Sequence, residues 1–235
     1  MNSYFQFKQF RIEQDRCAMK VSTDACIQGA WTPVLPGVKN VLDIGAGTGL
    51  LSLMLTQKND SIKIDAIELD SDAAAQADEN FRSSPWNDRL HVFQGSVQSF
   101  TKEKKYDLII CNPPFFNNSL LGPDAIRNTA RHTNELSYLD IIDAMENLLG
   151  ADGYASILLP TAEHKVWSQQ VAEAGWFIHV ELQVQPLPHK SANRIVSICS
   201  RKESPTRIEQ LCIYKQQGIY TDAFVELMHP YYLQL

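Results

Sequence analysis

An alternation of short apolar strands with helical stretches constrains the fold of this chain more than any other feature. The predicted strands are residues 41–44, 62–69, 90–93, 106–111 and 154–159, and the later runs 177–184 and 194–200 alternate like a hairpin pair. Helical patterns separate most of these strands. This order predicts a largely parallel α/β sheet with helices on both faces.

The predicted helices are residues 23–31, 50–58, 71–81, 136–149, 163–174 and 222–228. Ser71 is predicted to cap the third helix, and Gly150 with Gly153 to end the fourth. A further strand-like run lies at 210–214. Since no linker divides the chain, we predict one domain over 1–235, with an N-terminal segment 1–40, a core 41–200 and a C-terminal extension 201–235.

The composition is that of an ordinary globular protein, because 44% of the 235 residues are apolar and 20% are charged. No apolar run approaches the roughly 20 residues that span a bilayer, and the first residues lack the pattern of a signal peptide. We therefore expect a cytoplasmic protein without a membrane partner. The five cysteines form no C-x-x-C pair and the six histidines have no ligand spacing, so we expect reduced thiols and no metal.

The net charge of −6 argues mildly against non-specific binding of nucleic acid, which needs clustered cations. A local group of cations in the first twenty residues is still available for such a contact. It consists of Lys8, Arg11, Arg16 and Lys20. A solvated surface and a contact with nucleic acid are equally good interpretations of this group.

The glycine-rich segment Asp43-x-Gly45-x-Gly47-x-Gly49 follows the first predicted strand and opens a helix. Glycines let the backbone approach a ligand closely, and free amides at a helix start bind polar groups. The spacing differs from the G-x-G-x-x-G that suits a pyrophosphate. The acidic Asp43 instead suits a ligand with an ammonium and a sulfonium charge, such as S-adenosylmethionine.

Glu68 lies at the end of the second predicted strand, where a carboxylate accepts hydrogen bonds from two ribose hydroxyls. Asp70 is the competing candidate, although it is predicted to start the following turn. Together with the glycine loop, this acid predicts a site for a nucleoside cofactor.

The segment Asn112-Pro113-Pro114-Phe115 ends the fourth predicted strand, at the sheet edge where such folds place their sites. The prolines remove two backbone donors and hold Asn112 extended. The Asn112 side-chain oxygen and the Pro113 carbonyl can then accept both hydrogens of a planar amine, while Phe115 stacks on the base. A rigid loop with a buried aromatic residue is the structural alternative.

These motifs, with an N-terminal block, make the chain resemble the bacterial adenine-N6-methyltransferases that modify valine tRNA 1 at adenosine 37. The resemblance covers nearly the whole chain and includes FKQF at 7–10, DRCAMKV at 15–21, TD at 23–24, GAW at 29–31, LDIGAG at 42–47 and NPPF at 112–115. The N-terminal block is the specific part, because many methyltransferases share the glycine loop and the proline turn.

The resemblance implies a Rossmann-like class I methyltransferase fold, with a mostly parallel seven-stranded sheet and an antiparallel strand near the C-terminus. It implies S-adenosylmethionine as methyl donor, tRNA as partner, and a segment at 20–24 that closes over the cofactor. The predicted catalytic residues are Asn112, Pro113, Pro114 and Phe115. The predicted cofactor contacts are Lys20, Thr23, Asp43, Gly45, Gly47, Gly49, Glu68, Leu69, Ser96, Val97 and Asn112. The predicted RNA contacts are Lys8, Arg16, Arg131, Lys190 and Arg194, with Arg11, Lys20 and Arg127 as further candidates.

Two positions depart from the pattern of the family. Ser96 stands where related enzymes usually carry an Asp that contacts the adenine amine of the cofactor, and a hydroxyl accepts a weaker hydrogen bond than a carboxylate. Phe115 stands where the family often has Tyr, so stacking is kept and the hydroxyl is lost.

Other functions are possible for this set of motifs. A protein-glutamine N5-methyltransferase shares the proline turn but has a helical domain before the core, and only about forty residues precede Asp43 here. A DNA adenine methyltransferase needs a region that recognises base edges, and no inserted domain is visible. A cofactor- or RNA-binding protein without activity and a NAD-dependent oxidoreductase are the remaining alternatives. The intact Asn112 turn disfavours the former, and the glycine spacing disfavours the latter.

Overall fold

The computed structural model describes residues 2–114 and 136–235. Phe115, Arg127 and Arg131, which the sequence singles out, lie outside the described residues. No helix within these two ranges is both long and apolar enough to cross a membrane.

Strands and helices alternate through the described part of the chain. The strands are β1 (Tyr4–Gln6), β2 (Arg11–Glu13), β3 (Asn40–Ile44), β4 (Lys63–Glu68), β5 (Leu90–Gln94), β6 (Tyr106–Cys111), β7 (Leu149–Pro160), β8 (Phe177–Gln185), β9 (Arg194–Ser200), β10 (Arg207–Cys212), β11 (Tyr214–Gln216) and β12 (Ile219–Tyr220). The helices are α1 (Thr23–Trp31), α2 (Leu50–Lys58), α3 (Ser71–Arg82), α4 (Tyr138–Leu148), α5 (Thr161–Glu173) and α6 (Asp222–Met228).

The main sheet has the strand order β5-β4-β3-β6-β7-β9-β8-β10. Neighbouring strands are parallel except where β9 runs against β7 and β8. The predicted class, a mostly parallel sheet with an antiparallel strand near the C-terminus, is confirmed. Within residues 2–114 and 136–235 the sheet has eight strands rather than seven, because β10 pairs in parallel with the outer edge of β8, with Leu211 opposite Val184.

Both faces of the sheet are buried, which explains why the central strands are apolar along their whole length. Successive residues point to opposite faces, so Ile109 and Ile110 of β6 belong to different core clusters. The Ile110 cluster includes Ile27 of α1 and Leu53 of α2. The Ile109 cluster includes Trp167 of α5.

Two predicted helix boundaries differ from the structure. Asp70, rather than Ser71, caps α3, because its side chain accepts hydrogen bonds from the backbone amides of Asp72 and Ala73 at 3.0 and 2.8 Å. Both residue types are good caps, so composition could not decide between neighbours. At the end of α4 the chain enters β7 directly at Leu149, so Gly150 and Gly153 lie within the strand and do not end the helix.

The N-terminal segment and the C-terminal extension pack against each other. Phe7 forms an isolated β-bridge with Tyr232, and the Lys8 amide donates to the Tyr231 carbonyl at 2.8 Å. The Tyr231 hydroxyl donates to the Met54 carbonyl of α2 at 3.2 Å. The extension therefore ties the first residues of the chain to the core.

Candidate active site

A cavity of about 420 Å³ lies where the carboxyl ends of β3, β4, β5 and β6 meet along one rim of the sheet. Its size is within the range of small-ligand sites. The predicted site residues that line it are Lys20, Gly45, Gly47, Glu68, Leu69, Ser96, Val97, Asn112 and Pro114. The structure thus brings the glycine loop and the proline turn to one cavity, as the order of the strands requires.

The glycine loop needs its glycines for its backbone conformation. Gly45, Gly47 and Gly49 have φ values of +69°, +54° and +79°, a region that side-chain-bearing residues rarely adopt. A Cβ added at Gly49 would lie 2.4 Å from the ring of Phe81. Gly49 is the cap position of α2 and does not line the cavity, so its part in the site is to let the loop turn against α3.

Asp43 lies behind the glycine loop rather than in the cavity wall. It is fully buried, and its Oδ2 accepts hydrogen bonds from the Ser52 amide at 3.1 Å and the Ser52 hydroxyl at 2.7 Å. Burial raises the pKa of Asp43 to about 7, and the two Ser52 hydrogen bonds oppose that rise. Asp43 therefore fixes the start of α2 to β3. Its Oδ1 has no hydrogen-bond partner among the described residues, and its contact with a charged ligand stays a prediction.

Glu68 is held in a fixed orientation at the end of β4. Its Oε2 accepts a hydrogen bond from the Gly47 amide at 2.8 Å, and its Oε1 accepts one from the Asp70 amide at 3.0 Å. Each carboxylate oxygen has a further lone pair. Glu68 can thus join the glycine loop to β4 and still accept from two ligand hydroxyls.

The segment after β5 carries Gln98, a polar residue that the sequence prediction did not include, beside the predicted Ser96. Ser96 caps a short 3-10 turn (Val97–Ser99) by accepting from the Gln98 amide at 3.2 Å. Its hydroxyl also donates to the Gln98 side-chain oxygen. Ser96, Val97 and Gln98 all line the cavity.

Asn112 follows β6 directly and lines the cavity. Its Oδ1 is buried and has no hydrogen-bond partner in the part of the chain that the structure describes. Such an acceptor usually costs free energy and is rare in native structures. Pro113 is buried and does not line the cavity, whereas Pro114 is exposed and does.

Two buried polar residues of α3 bind the backbone of the N-terminal segment at Glu13 and Arg16. The sequence prediction missed both. Asn80 accepts from the Glu13 amide and donates to the carbonyls of Glu13 and Thr48, each at 2.9 Å. Gln76 accepts from the Arg16 amide at 3.1 Å. The available signal was their spacing, since the two residues lie four apart on the helix face that also carries buried alanines.

Lys20, Val21 and Ser22 of the predicted closing segment line the cavity. Thr23, however, does not line the cavity, and the residue before it, Ser22, caps α1 and does. Gln28 of α1 donates to the carbonyls of Cys111 and Ser156 at 3.0 and 3.1 Å. Helix α1 is thereby attached to the end of β6, immediately before Asn112.

Most of the predicted RNA-contact cations within the described ranges have protein partners. Arg16 pairs with Glu79, Arg194 pairs with Asp24 at 2.9 Å, and Lys8 donates to the His229 carbonyl at 2.5 Å. Lys190 is exposed in the loop between β8 and β9, at the same rim of the sheet as the cavity. These positions are compatible with a surface for a polyanion but do not form one dense cluster.

The described residues contain no group of three His, Cys, Asp or Glu side chains that could hold a metal ion. Burial raises the pKa of the Cys111 thiol well above its ordinary value, and the charges of Asp43 and Glu68 add to the rise. Cys111 is therefore a neutral core residue of β6. The cavity itself is acidic at one end, with Glu68, Asp70 and Asp72 in its wall.

Known proteins have sequences similar to this chain. Residues 32–136 match the family model of the methyltransferase small domain, which spans the glycine loop and Asn112. Proteins named tRNA1(Val) (adenine(37)-N6)-methyltransferase from Tolumonas auensis and Dyadobacter fermentans are 41% and 42% identical to this chain, over 98% and 99% of its length and 97% and 98% of theirs. This chain belongs to the tRNA1(Val) (adenine(37)-N6)-methyltransferase family.

The fold of this family member is shared with more distant methyltransferases. A crystal structure of a predicted O-methyltransferase from Agrobacterium tumefaciens superposes with a TM-score of 0.68 over 88% of this chain and 96% of that one, at 14% identity. At such low identity the likeness shows the class I methyltransferase architecture alone. The full-length match to the family explains why the N-terminal block and the proline turn occur together in one chain.

Proposed function

We propose that this chain transfers a methyl group from S-adenosylmethionine to the N6 amine of an adenine in tRNA, namely adenine 37 of valine tRNA 1. The named activity of relatives that match nearly the whole chain at 41% and 42% identity supports this reaction. A tRNA substrate also agrees with the cytoplasmic location predicted from the sequence.

The Oδ1 of Asn112, which has no partner among the residues that the structure describes, is the observation that carries the proposal. It is a buried acceptor in the wall of the cavity that Glu68 and the glycine loop also line. A buried acceptor of this kind is stabilised when a ligand donates an N–H to it. An amine is a ligand that supplies such a donor.

The exocyclic amine of adenine is a poor nucleophile, because its lone pair is delocalised into the ring. Asn112 Oδ1, in the cavity wall, would accept one of its N–H hydrogens and turn the lone pair toward the methyl group. The second acceptor predicted from the sequence is the carbonyl of Pro113, a residue that does not itself line the cavity. The transfer forms an N–CH₃ bond, breaks an S–CH₃ bond and releases one proton to solvent. Catalysis then comes from positioning and polarisation rather than from a strong base.

The residues of the cavity fit S-adenosylmethionine. Bound there, the sulfonium would supply an electrophilic methyl group. Glu68, Asp70 and Asp72 give one end of the cavity an acidic wall, which favours a cationic ligand. Glu68 retains lone pairs for ribose hydroxyls, and Gly45 and Gly47 leave room for the backbone to approach the ligand.

The RNA would approach from the same rim of the sheet, over Asn112. Lys190 lies in the loop at that rim, and Arg16 lines the cavity itself. An anticodon loop is single-stranded, so moving one base into the cavity costs less free energy than flipping a base from a duplex. A compact enzyme without a recognition domain suits such a substrate.

The decisive experiment measures transfer of labelled methyl groups from S-adenosylmethionine into an unmodified transcript of valine tRNA 1. A matched transcript with guanine at position 37 is the control, and the labelled nucleoside is identified after digestion. We expect N6-methyladenosine from the first transcript and background label from the second.

Three outcomes would contradict the proposal. Equal label in both transcripts would mean a different nucleotide. Label found in a glutamine-containing protein substrate but not in RNA would favour the protein methyltransferase. Label in duplex DNA alone would favour a DNA enzyme.

A further inference from the structure

We infer that the side-chain amide of Gln98, held by Ser96, recognises the adenine of the cofactor. This inference rests on the proposed function, since it assigns a residue of the same cavity to one part of S-adenosylmethionine. It answers how the site works with Ser96 in a position where an acid is usual.

The order of the strands places the adenine near β5. The acceptor residue Asn112 follows β6, the glycine loop follows β3, Glu68 ends β4, and Ser96 follows β5. Because the strand order is β6-β3-β4-β5, a ligand with its methyl group near Asn112 and its ribose at Glu68 extends its base toward Ser96.

This end of the cavity offers apolar side chains and open space to a base. Leu69 is 48% exposed and Val97 is buried, and both line the cavity as apolar surfaces. A Cβ added at Gly95 would meet no atom within 4 Å, so the space beside this residue is open. The Gly95 amide donates to the Glu68 carbonyl at 2.8 Å, which fixes this end of β5 to β4.

The hydrogen bonds of Ser96 orient the amide of Gln98. The Ser96 hydroxyl oxygen accepts from the Gln98 backbone amide at 3.2 Å, so its own hydrogen is directed to the Gln98 side-chain oxygen. That oxygen keeps one lone pair, and the amide nitrogen keeps its two N–H donors. Ser96 is thus engaged in positioning and leaves Gln98 to face the ligand.

A carboxamide is complementary to the amine edge of adenine. Its oxygen accepts from the N6 amine while its nitrogen donates to a neighbouring ring nitrogen, the same bidentate pairing that Gln and Asn make with adenine in DNA. Of the acids that line the cavity, Glu68 accepts from Gly47, Asp70 caps α3, and Asp72 lies in the first turn of α3 rather than in the turn after β5. Gln98 is therefore the side chain that best replaces the usual acid.

The test compares the affinities for S-adenosylhomocysteine and S-inosylhomocysteine, measured by calorimetry. The second ligand carries an acceptor oxygen in place of the adenine amine, so it could pair with Gln98 only if the side-chain amide turned over, which the hydrogen bond from the Ser96 hydroxyl opposes. We expect wild-type protein to prefer the adenosyl ligand. The affinity of Gln98→Ala for the adenosyl ligand should be about tenfold lower than that of the wild type. Its affinity for the inosyl ligand should stay within about twofold of the wild-type value.

Two further variants separate recognition from folding. Ser96→Ala should reduce the preference in the same direction, because the amide loses its anchor. Gln94→Ala, at an exposed position of β5 outside the cavity, should leave both affinities unchanged. Methyl transfer by Gln98→Ala should recover at saturating S-adenosylmethionine, so that KM rises and kcat is kept.

Unchanged binding of the adenosyl ligand by Gln98→Ala would overturn the inference, and so would an equal loss for both ligands. Either result leaves the proposed function intact, provided that wild-type protein binds the adenosyl ligand. Wild-type protein that binds neither ligand would overturn the proposed function together with this inference.

Discussion

The two halves of the cavity differ in how completely their polar groups are partnered. In the cofactor half, residues 45–48, 68–70 and 95–98, the groups are tied together by hydrogen bonds such as those of Glu68 with Gly47 and Asp70. In the acceptor half, residues 112–114, Asn112 Oδ1 has no partner among the described residues, and two prolines lack an amide hydrogen. The residues of the cofactor half are held in place by hydrogen bonds before a ligand arrives, whereas the Asn112 acceptor gains its partner from a ligand.

This difference separates binding from chemistry. A preformed half lowers the cost of ordering side chains when the cofactor binds. An unpartnered acceptor costs stability in the free protein, and proteins keep such violations mainly at functional sites. Variants in the acceptor half should therefore affect turnover, and variants in the cofactor half should affect affinity.

The largest effect is expected for Asn112→Ala. Removing the acceptor should lower kcat for methyl transfer by about 10²- to 10³-fold, the usual cost of losing one preorganised polar group, because the amine is no longer polarised. Affinity for S-adenosylmethionine, measured by calorimetry, should change by less than about twofold.

Asn87→Ala is a matched control for this variant, because Asn87 is exposed and lies outside the cavity. An equal loss of turnover and of cofactor affinity in Asn112→Ala would mean that Asn112 is a structural residue, and the division between the two halves would fail.

The next effect is expected for Glu68→Gln, in the cofactor half. The variant keeps the size of the side chain but places an N–H₂ where one oxygen accepts from Gly47 or Asp70. Loss of charge-assisted hydrogen bonds should weaken S-adenosylmethionine binding by roughly 10- to 100-fold, while kcat at saturation is largely kept. Glu103→Gln, an exposed position outside the cavity, should bind normally. A fall in kcat without a change in affinity would contradict the assignment.

The sequence predicts the scaffold of both halves well, because strand and helix patterns are local. The apolar runs of β3, β4 and β6 identify the sheet, and parallel strands necessarily bring Glu68 and Asn112 to one rim. The family resemblance likewise predicts that residues 20–24 close over the cofactor, and Lys20 lines the cavity.

Contacts between distant parts of the chain escape such prediction. Asn80 and Gln76 look like ordinary polar residues of an amphipathic helix, and only the packed structure shows their bonds to Glu13 and Arg16. Gln98 is missed because its contact with the Ser96 side chain depends on the 3-10 turn that Ser96 caps. Asp43 is expected in the cavity because its neighbours are there, but strand alternation turns its side chain toward Ser52.

The last expected effect concerns stability rather than activity, and it is a dependence on pH that comes from Asp43 behind the cofactor half. Burial raises its pKa to about 7, with a further rise from the charge of Glu68, while hydrogen bonds from Ser52 lower it. The pKa of Asp43 in the folded state lies above the unfolded value near 4. Between these two pH values the folded protein therefore keeps a proton on Asp43 that the unfolded chain has lost. Stability contributed by this group is therefore present at low pH and is lost as pH rises toward 7.

Asp43→Asn removes this titration and can still accept from Ser52. The free energy of unfolding of the wild type relative to Asp43→Asn should fall from about pH 5 to pH 7, by at most about 1.4 kcal/mol per pH unit, and level off above that. Urea denaturation at several pH values measures it, with Asp88→Asn at an exposed position as control. The buried thiol of Cys111, whose pKa is raised far above this range, does not titrate in the window. If the difference between wild type and variant stays constant across the range, Asp43 is not the titrating support of the glycine loop. The cofactor half would then be as pH-insensitive as the acceptor half.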